Sequence, residues 1–176
     1  MNGLAYRLLS SVLLALTLWL PGPAFTQSHS EGYFDGTAYA IFNGSISFRS
    51  PITLAFRTCK HGVLLFQSDS SGDSVTFSIL PSGVFELRWN VKSREDSVHV
   101  GANHRDNRWH SVALFRHLGT LQLRVDRKTV LVASRTFRSY LLNVTLPSDK
   151  VWVGSNFTGC IQEGASVLLS GVDVQS

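Results

Sequence analysis

The chain has 176 residues, of which 16 are Lys or Arg and 12 are Asp or Glu, so its formal net charge at pH 7 is +4. This length suggests one domain with a substantial core. The small basic excess favours anionic partners without demanding one. No apolar run reaches the roughly 20 residues that a membrane span needs.

Residues 1–24 have the pattern of a secretory signal peptide. Arg7 precedes an apolar run from Leu8 to Leu20, and Ala24 offers a small residue for cleavage. An uncleaved signal anchor is the alternative. Residues 25–32 then form a polar lead-in, and residues 33–176 form the folded domain. The expected location is extracellular, with no membrane span in the mature chain and no nucleic acid partner.

Two further features fit a secreted chain. The only cysteines are Cys59 and Cys160, which in an oxidising compartment can form one intramolecular pair. Three N-glycosylation sequons begin at Asn43, Asn143 and Asn156.

Taken in chain order, the residues after the leader alternate in short runs typical of β-strands. The first predicted strand covers 33–42, with an irregularity at Gly36, and a strand at 46–48 follows. Strands at 52–56 and 63–67 flank the turn at 60–62. Strands led by Val75 and Phe85 flank a turn at 81–83, and a short strand follows at 98–100. The remaining runs are at 130–132, 134–140, Val151 and 160–169. No helical periodicity extends over 11 residues, so an all-β sandwich is expected.

The most regular run is a central hairpin. Its first strand contains Val112 and Leu114 in alternation with Ala113 and Phe115, and its second strand runs from residue 120 to 126. Gly119 lies in the turn between them, where a positive φ is often needed.

Four motifs in order resemble the laminin G-like family, the group named for laminin, neurexin and sex-hormone-binding globulin. They are the Asp-Asn-x-Trp-His-x-Val run at 106–112 with Leu-x-Leu-x-Val-Asp at 121–126, the Phe-Arg-Thr run at 56–58 with Gly-Val-Leu-Leu at 62–65, Gly-Asp at 72–73, and Val-Trp-Val-Gly at 151–154 with Phe-Thr-Gly-Cys-Ile at 157–161. The likeness covers about 33–172. It implies a two-sheet antiparallel, jelly-roll-like sandwich of the concanavalin and laminin G kind.

The resemblance also implies a calcium ion on the rim of the sandwich. Asp73 matches the family's first ligand, a carbonyl near Val91 matches a second, and Asp149 is a candidate for a further side chain. Ca²⁺ prefers 6–8 oxygen ligands, and this sequence offers few carboxylates there, so weak binding is expected. The alternative is an Asp that only caps a turn.

A basic segment is the candidate glycan-binding surface. Its residues are Arg116, Arg124, Arg127, Lys128, Arg135 and Arg138. Arg116 and Arg124 lie across the central hairpin and are expected to be neighbours. Sulfated glycans are partners that laminin G-like domains often bind. An ordinary solvated face is the alternative.

The cysteines depart from the family, whose usual bridge uses a cysteine further along the chain. Cys59 ends one predicted strand and Cys160 begins another. If those strands pair antiparallel, their ends meet, and a Cys59–Cys160 disulfide is expected. The early end of the sequence raises the possibility of a short isoform.

Catalysis is not expected, because no motif of paired carboxylates or nucleophile elbow is present. A hydrolase using Ser74 is a remote alternative. The Gly-Asp-Ser-Val run at 72–75 and the spacing of Asp96 and His99 resemble motifs of one hydrolase class. That class needs an α/β scaffold, whereas these two motifs lie in adjoining β-hairpins.

His110 is interpreted as a structural strand histidine beside Trp109. No second His stands at ligand spacing on its strand. A metal-bound or catalytic imidazole is the alternative.

The sequence therefore predicts an extracellular adhesion module that recognises glycans or glycoproteins, assisted by Ca²⁺. A carrier of a small, apolar, steroid-like ligand is the alternative function. The oligomeric state is not predicted.

Overall fold

The computed structural model describes residues 30–147, 150–167, 169 and 173–175. The predicted signal peptide and the start of the lead-in lie outside these residues. Within them, the chain forms 13 strands and one short 3-10 helix. The described residues contain no helix long and apolar enough to cross a membrane.

The strands follow one another along the chain with short connections. They are β1 (Glu31–Asp35), β2 (Tyr39–Asn43), β3 (Ile52–Thr58), β4 (Gly62–Ser68), β5 (Ser74–Ile79), β6 (Phe85–Val91), β7 (Arg94–Val100), β8 (His110–His117), β9 (Thr120–Val125), β10 (Lys128–Ala133), β11 (Lys150–Val153), β12 (Thr158–Gln162) and β13 (Asp173–Gln175), with the 3-10 helix Ser139–Asn143 between β10 and β11.

Two sheets result, and the pairs between neighbouring strands are antiparallel. The six-stranded sheet has the order β1-β12-β3-β8-β9-β10, and the seven-stranded sheet has the order β13-β2-β11-β4-β5-β6-β7. The predicted all-β, two-sheet antiparallel sandwich is confirmed.

The core lies between the two sheets. Alternate residues of each strand face it, as the period of two requires: in β3, for example, Ile52, Leu54 and Phe56 are buried. The largest side chains with almost no exposure are Trp89, Phe48, Phe56, Phe77, Phe85 and Phe157. These rings pack in the space between the two sheets.

The first predicted strand is wrong in one respect, because it is two strands in different sheets. β1 pairs with β12 in one sheet, and β2 pairs with β11 in the other. Gly36 lies at the crossing with a φ of +102°, a conformation that other residues rarely adopt. Asp35 stabilises the crossing, since its Oδ1 accepts the N–H groups of Thr37 and Ala38 at 2.8 and 2.9 Å.

Three other boundaries differ from the prediction. The segment expected as a strand at 46–48 makes only an isolated bridge between Ser47 and Thr145. The segment at 134–140 leads into the 3-10 helix, and the last predicted strand, 160–169, ends as β12 at Gln162. Ile46, Phe48 and Val167 are buried without a full ladder around them, and Tyr140 packs against the core while partly exposed.

Candidate functional site

Two of the calcium candidates, Asp73 and Val91, lie at the end of the sandwich where β5 begins and β6 ends. Asp73 Oδ1 accepts the backbone N–H of Lys92 at 2.8 Å, so this carboxylate caps the β6–β7 turn next to Val91. Asp69 caps its own loop by accepting the N–H of Ser71 and of Asp73. Asp149 lies outside the described residues. A calcium ion at Asp73 stays a prediction.

The six basic candidates do not share one surface. Arg116 pairs with Leu121 and Arg124 pairs with Ala113. These positions are three residue pairs apart, so the two side chains project from opposite faces of the hairpin. The expectation that they are neighbours is wrong. Arg135 lies near the β8–β9 turn, 3.6 Å from the position of a Cβ on Gly119, whereas Arg127 and Lys128 lie at the opposite end of the hairpin.

Arg138 is largely committed to internal contacts. Its Nη2 lies 2.6 Å from Asp96 Oδ2, and its side chain is only 19% exposed. Its guanidinium also lies 5.0 Å from the ring centre of Trp89 and 4.6 Å from that of Phe137. Arg138 therefore ties the β10 side of one sheet to the other sheet, and it offers little of its charge to a partner.

The predicted disulfide is absent, because Cys59 and Cys160 are both free cysteines. β3 and β12 do pair antiparallel, as expected, but the register joins Cys160 to Arg57 and Gly159 to Thr58. Cys59 lies beyond this pairing and is exposed, whereas Cys160 is 8% exposed under Arg57. The two thiols are therefore offset along the strands.

The remaining sequence candidates are distributed over the surface. The three sequon residues Asn43, Asn143 and Asn156 are exposed. Ser74 pairs with Ser68 and Asn90, whereas His99 pairs with Glu86 and contacts its Oε1 at 3.1 Å. Four residues of strand separate the Ser74 row from the Glu86 row, roughly 13 Å, so the geometry does not assemble a Ser–His pair.

An aromatic cavity lies on the outer face of the seven-stranded sheet. Trp152 stands between the buried residues Val151 and Val153, so its side chain points away from the core. Its neighbour across the β11–β4 pair is Phe66, and the two ring centres are 5.7 Å apart. The cavity has a volume of about 460 Å³. The residues lining it are Tyr39, Val63, Phe66, Thr76, Trp152 and Ser155.

Charged side chains continue the same face beside this cavity, which we call the Trp152 cavity. The strand register carries the row from Trp152 through Phe66 and Thr76 to Arg88. The Arg88 side chain is 53% exposed and pairs with Glu86 at 3.3 Å and with Glu95 at 3.7 Å. The face therefore combines aromatic rings, hydroxyl groups and a half-exposed guanidinium within one cross-strand row.

A second constellation surrounds His110 at the end of the six-stranded sheet. His110 Nδ1 lies 2.9 Å from Asp126 Oδ2, and His110 Nε2 lies 3.0 Å from Asp106 Oδ1. The loop between β7 and β8 brings His104 against it, with the two ring centres 4.9 Å apart. His104 Nδ1 is 3.1 Å from Gly83 O, which accepts a hydrogen bond from it.

Burial and hydrogen bonding shift the pKa values of this group. Burial lowers the pKa of His104, and the neighbouring His110 lowers it further. The backbone N–H of Arg108 and the hydrogen bond to His110 lower the pKa of Asp106 despite opposing desolvation. Burial raises the pKa of Asp126, but hydrogen bonds from His110 and Ser111 outweigh it and lower the pKa below its ordinary value.

Comparison with known proteins identifies the family to which the chain belongs. The model of the family described as "Laminin G domain" matches residues 56–164, which is more than half of the chain. The chain belongs to the laminin G domain family. The resemblance predicted from the four sequence motifs is confirmed.

Solved structures share the fold of this laminin G domain. The LG1-3 region of the laminin alpha2 chain is similar with a TM-score of 0.57 and 15% identity, over 84% of this chain and 31% of that one. Domains LG4-5 of the mouse laminin alpha1 chain give a TM-score of 0.59 and 15% identity, over 84% of this chain and 47% of that one. This chain thus spans a third to a half of the length of those structures. No curated protein sequence matches it significantly.

A more distant likeness is to the carbohydrate-binding module CBM40 of a sialidase from Ruminococcus gnavus. Its TM-score is 0.46 at 15% identity, over 84% of this laminin G domain and 94% of that chain.

Sequence reasoning missed both the Trp152 cavity and the partner of His110. For the cavity a signal was present, because aromatic residues stand at Trp152 and Phe66 where the alternation of buried residues leaves an outward position. For His110, the neighbouring histidine lies outside its own strand. His104 arrives from the preceding loop, and no spacing rule for a strand anticipates that contact.

Proposed function

We propose that this laminin G domain is an extracellular binding module that recognises glycans carried by matrix or cell-surface glycoproteins. The observation that carries the proposal is the Trp152 cavity. Its volume of about 460 Å³ falls within the range of roughly 300–1,000 Å³ typical of small-ligand sites. We propose binding without catalysis, because the lining supplies aromatic rings for stacking and hydroxyl groups for hydrogen bonds.

The lining suits a sugar ring. The C–H face of a pyranose is apolar and packs on an aromatic ring, and Trp and Tyr supply large, rigid contact areas that also carry a polar group. Trp152 and Phe66 provide such surfaces, and the hydroxyl groups of Thr76 and Ser155 lie within the same lining. A sugar bound there would stack on one side and form hydrogen bonds on the other.

Arg88 offers one contact for an acidic group of the glycan, in competition with two carboxylates. The chain has a formal net charge of +4, and Arg88 lies on the same cross-strand row as the aromatic residues. A sulfate or carboxylate on the glycan would be attracted to this guanidinium at the cost of competing with Glu86 and Glu95. We therefore propose a sulfated or carboxylated glycan at the Trp152 cavity, whereas glycan binding at the six basic candidates stays a prediction.

The test is a pair of Trp→Ala variants. A glycan array with the secreted domain identifies a ligand, and calorimetric titration then compares Trp152→Ala with Trp109→Ala, which removes a 41% exposed Trp just before β8 of the other sheet. We expect Trp152→Ala to lose on the order of 2 kcal/mol of binding free energy, roughly 30-fold in Kd, and Trp109→Ala to bind as the wild type does. Equal affinities for the two variants would contradict the proposal, provided that both retain the wild-type melting temperature.

A further inference from the structure

The cluster around His110 has a chemistry that the glycan cavity does not use. One ring nitrogen each of His104 and His110 and a carboxylate oxygen of Asp126 lie within 4.8 Å of one another. His104 is 5% exposed and His110 is 9% exposed. We propose that His104, His110 and Asp126 form a binding site for Zn²⁺ or a similar divalent transition metal ion.

Proton counting at His110 supports a metal ion at this position. A neutral imidazole carries one N–H and can donate to only one carboxylate. His110 faces two, Asp126 at 2.9 Å and Asp106 at 3.0 Å. The second contact therefore needs another proton or a metal ion, because a ring lone pair facing a carboxylate oxygen is repulsive.

The surroundings decide which side of the ring would receive the ion. In the metal-bound form, Asp106 would accept the Nε2–H of His110, and the Nδ1 lone pair on the Asp126 side would bind the ion in place of the present hydrogen bond. Gly83 O accepts the Nδ1–H of His104, which leaves the Nε2 lone pair of His104 available. Each ligand imidazole thus has its other nitrogen held by an acceptor, the arrangement that fixes the tautomer of metal-bound histidines.

The backbone of Gly83 holds His104, since Gly83 O accepts the N–H of His104 at 2.9 Å, and Gly101 leaves room for its ring. Gly101 has a φ of +69°, and a Cβ at this residue would collide with the His104 ring. Asp126 is held as well, since its Oδ1 accepts the N–H of Ser111 at 2.8 Å. A partly preformed set of ligands lowers the cost of ordering side chains when the ion binds.

The donor set selects the class of ion. Two imidazoles and one carboxylate suit Zn²⁺, whereas Ca²⁺ requires oxygen ligands. Three protein ligands leave one coordination position open, and the site borders a cavity of about 270 Å³ that Arg127 and Lys128 also line. Water or an anionic group would complete the coordination there.

The test uses the secreted chain without an affinity tag, stripped with EDTA and exchanged into metal-free buffer. Calorimetric titration with ZnCl₂ should show one ion per chain. His104→Ala should weaken binding at least about tenfold, and Asp106→Asn, which keeps all three ligands, should weaken it by roughly 10–100-fold. The matched control is His99→Ala, which removes a histidine outside the cluster and should leave the affinity unchanged.

Two further measurements keep the outcome clear. The visible absorption of Co²⁺ bound to the wild-type chain reports nitrogen and oxygen coordination without any substitution that could unfold the domain. A parallel titration with CaCl₂ separates this site from Asp73. Absence of a one-to-one Zn²⁺ isotherm, wild-type affinity in a folded His104→Ala variant, or equal binding of Ca²⁺ at the same site would each overturn the proposal. None of these outcomes bears on glycan binding at Trp152.

Discussion

The outer faces of the two sheets carry similar side chains but present them differently. On the seven-stranded sheet, Trp152 and Phe66 border an open cavity. On the six-stranded sheet, the Arg57 guanidinium lies 5.3 Å from the ring centre of Trp109 and donates to Cys160 Sγ at 3.4 Å. Trp152 lines a cavity, whereas Trp109 lines none of the described cavities and is 41% exposed, with the Arg57 guanidinium near its ring. Aromatic content alone therefore does not identify a binding face; the contacts of each ring do.

The largest expected effect comes from filling the cavity. Thr76 lies opposite Phe66 on an outward position of β5, so Thr76→Trp would place an indole where the glycan is proposed to bind. Affinity should fall by roughly 30-fold or more, while the melting temperature stays close to that of the wild type. Glycan titration and differential scanning calorimetry measure the two quantities.

The control for this variant makes the same change on the other sheet. Thr129 is exposed on β10 and pairs with Arg124, and Thr129→Trp should leave glycan affinity unchanged. A similar loss in both variants would mean that the two outer faces do not differ in the way proposed.

A smaller effect is expected when Arg57, which lies over Cys160 on the six-stranded sheet, is truncated. Arg57→Ala should expose Cys160, and its alkylation by a maleimide in the native protein should become severalfold faster. Exposed Cys59 should react quickly in both proteins. Arg124→Ala, which removes a guanidinium lying 5.4 Å from the Phe115 ring, is the control. If neither thiol reacts, in native or in denatured protein, the two cysteines form the disulfide that the sequence predicts.

The smallest expected effect is on stability in mild acid. The pKa of His104 is lowered in the folded chain, whereas an unfolded chain protonates this residue near its usual pKa of about 6.5. The unfolded state thus binds more protons below that pH, so the free energy of unfolding should be constant above it and should fall as the pH drops below it. Urea unfolding in EDTA at pH 7.5 and 5.5 should show a smaller decrease in His104→Gln than in the wild type; an equal decrease would show that His104 is not its source.

Much of the fold could be predicted from local alternation. The central hairpin is the clearest case, because Val112, Leu114, Leu121 and Leu123 share a buried face and the turn falls between His117 and Thr120 as expected. The crossing at Gly36 could not be predicted in this way. Two consecutive strands that alternate alike give no local sign that they belong to different sheets.

The candidate site was less predictable, because it depends on register and on loops. The Arg116–Arg124 expectation is wrong because of the alternation itself, since Arg116 shares the face of Leu114 whereas Arg124 lies on the face opposite to the buried leucines of β9. Arg138 counts as basic in the sequence, yet its contact with Asp96 joins residues that are far apart in the chain. Period-two patterns assign faces within a strand, but they do not determine which residue of the next strand lies opposite.

The central claim is that a glycan binds at Trp152 and not at Trp109, and NMR titration tests it most directly. Heteronuclear spectra of the secreted domain resolve the indole N–H of each tryptophan while the array-selected glycan is added. We predict that the Trp152 indole signal shifts in proportion to saturation and that the Trp109 signal stays in place. A shift confined to Trp109, or none at Trp152 at saturating glycan, would contradict the account.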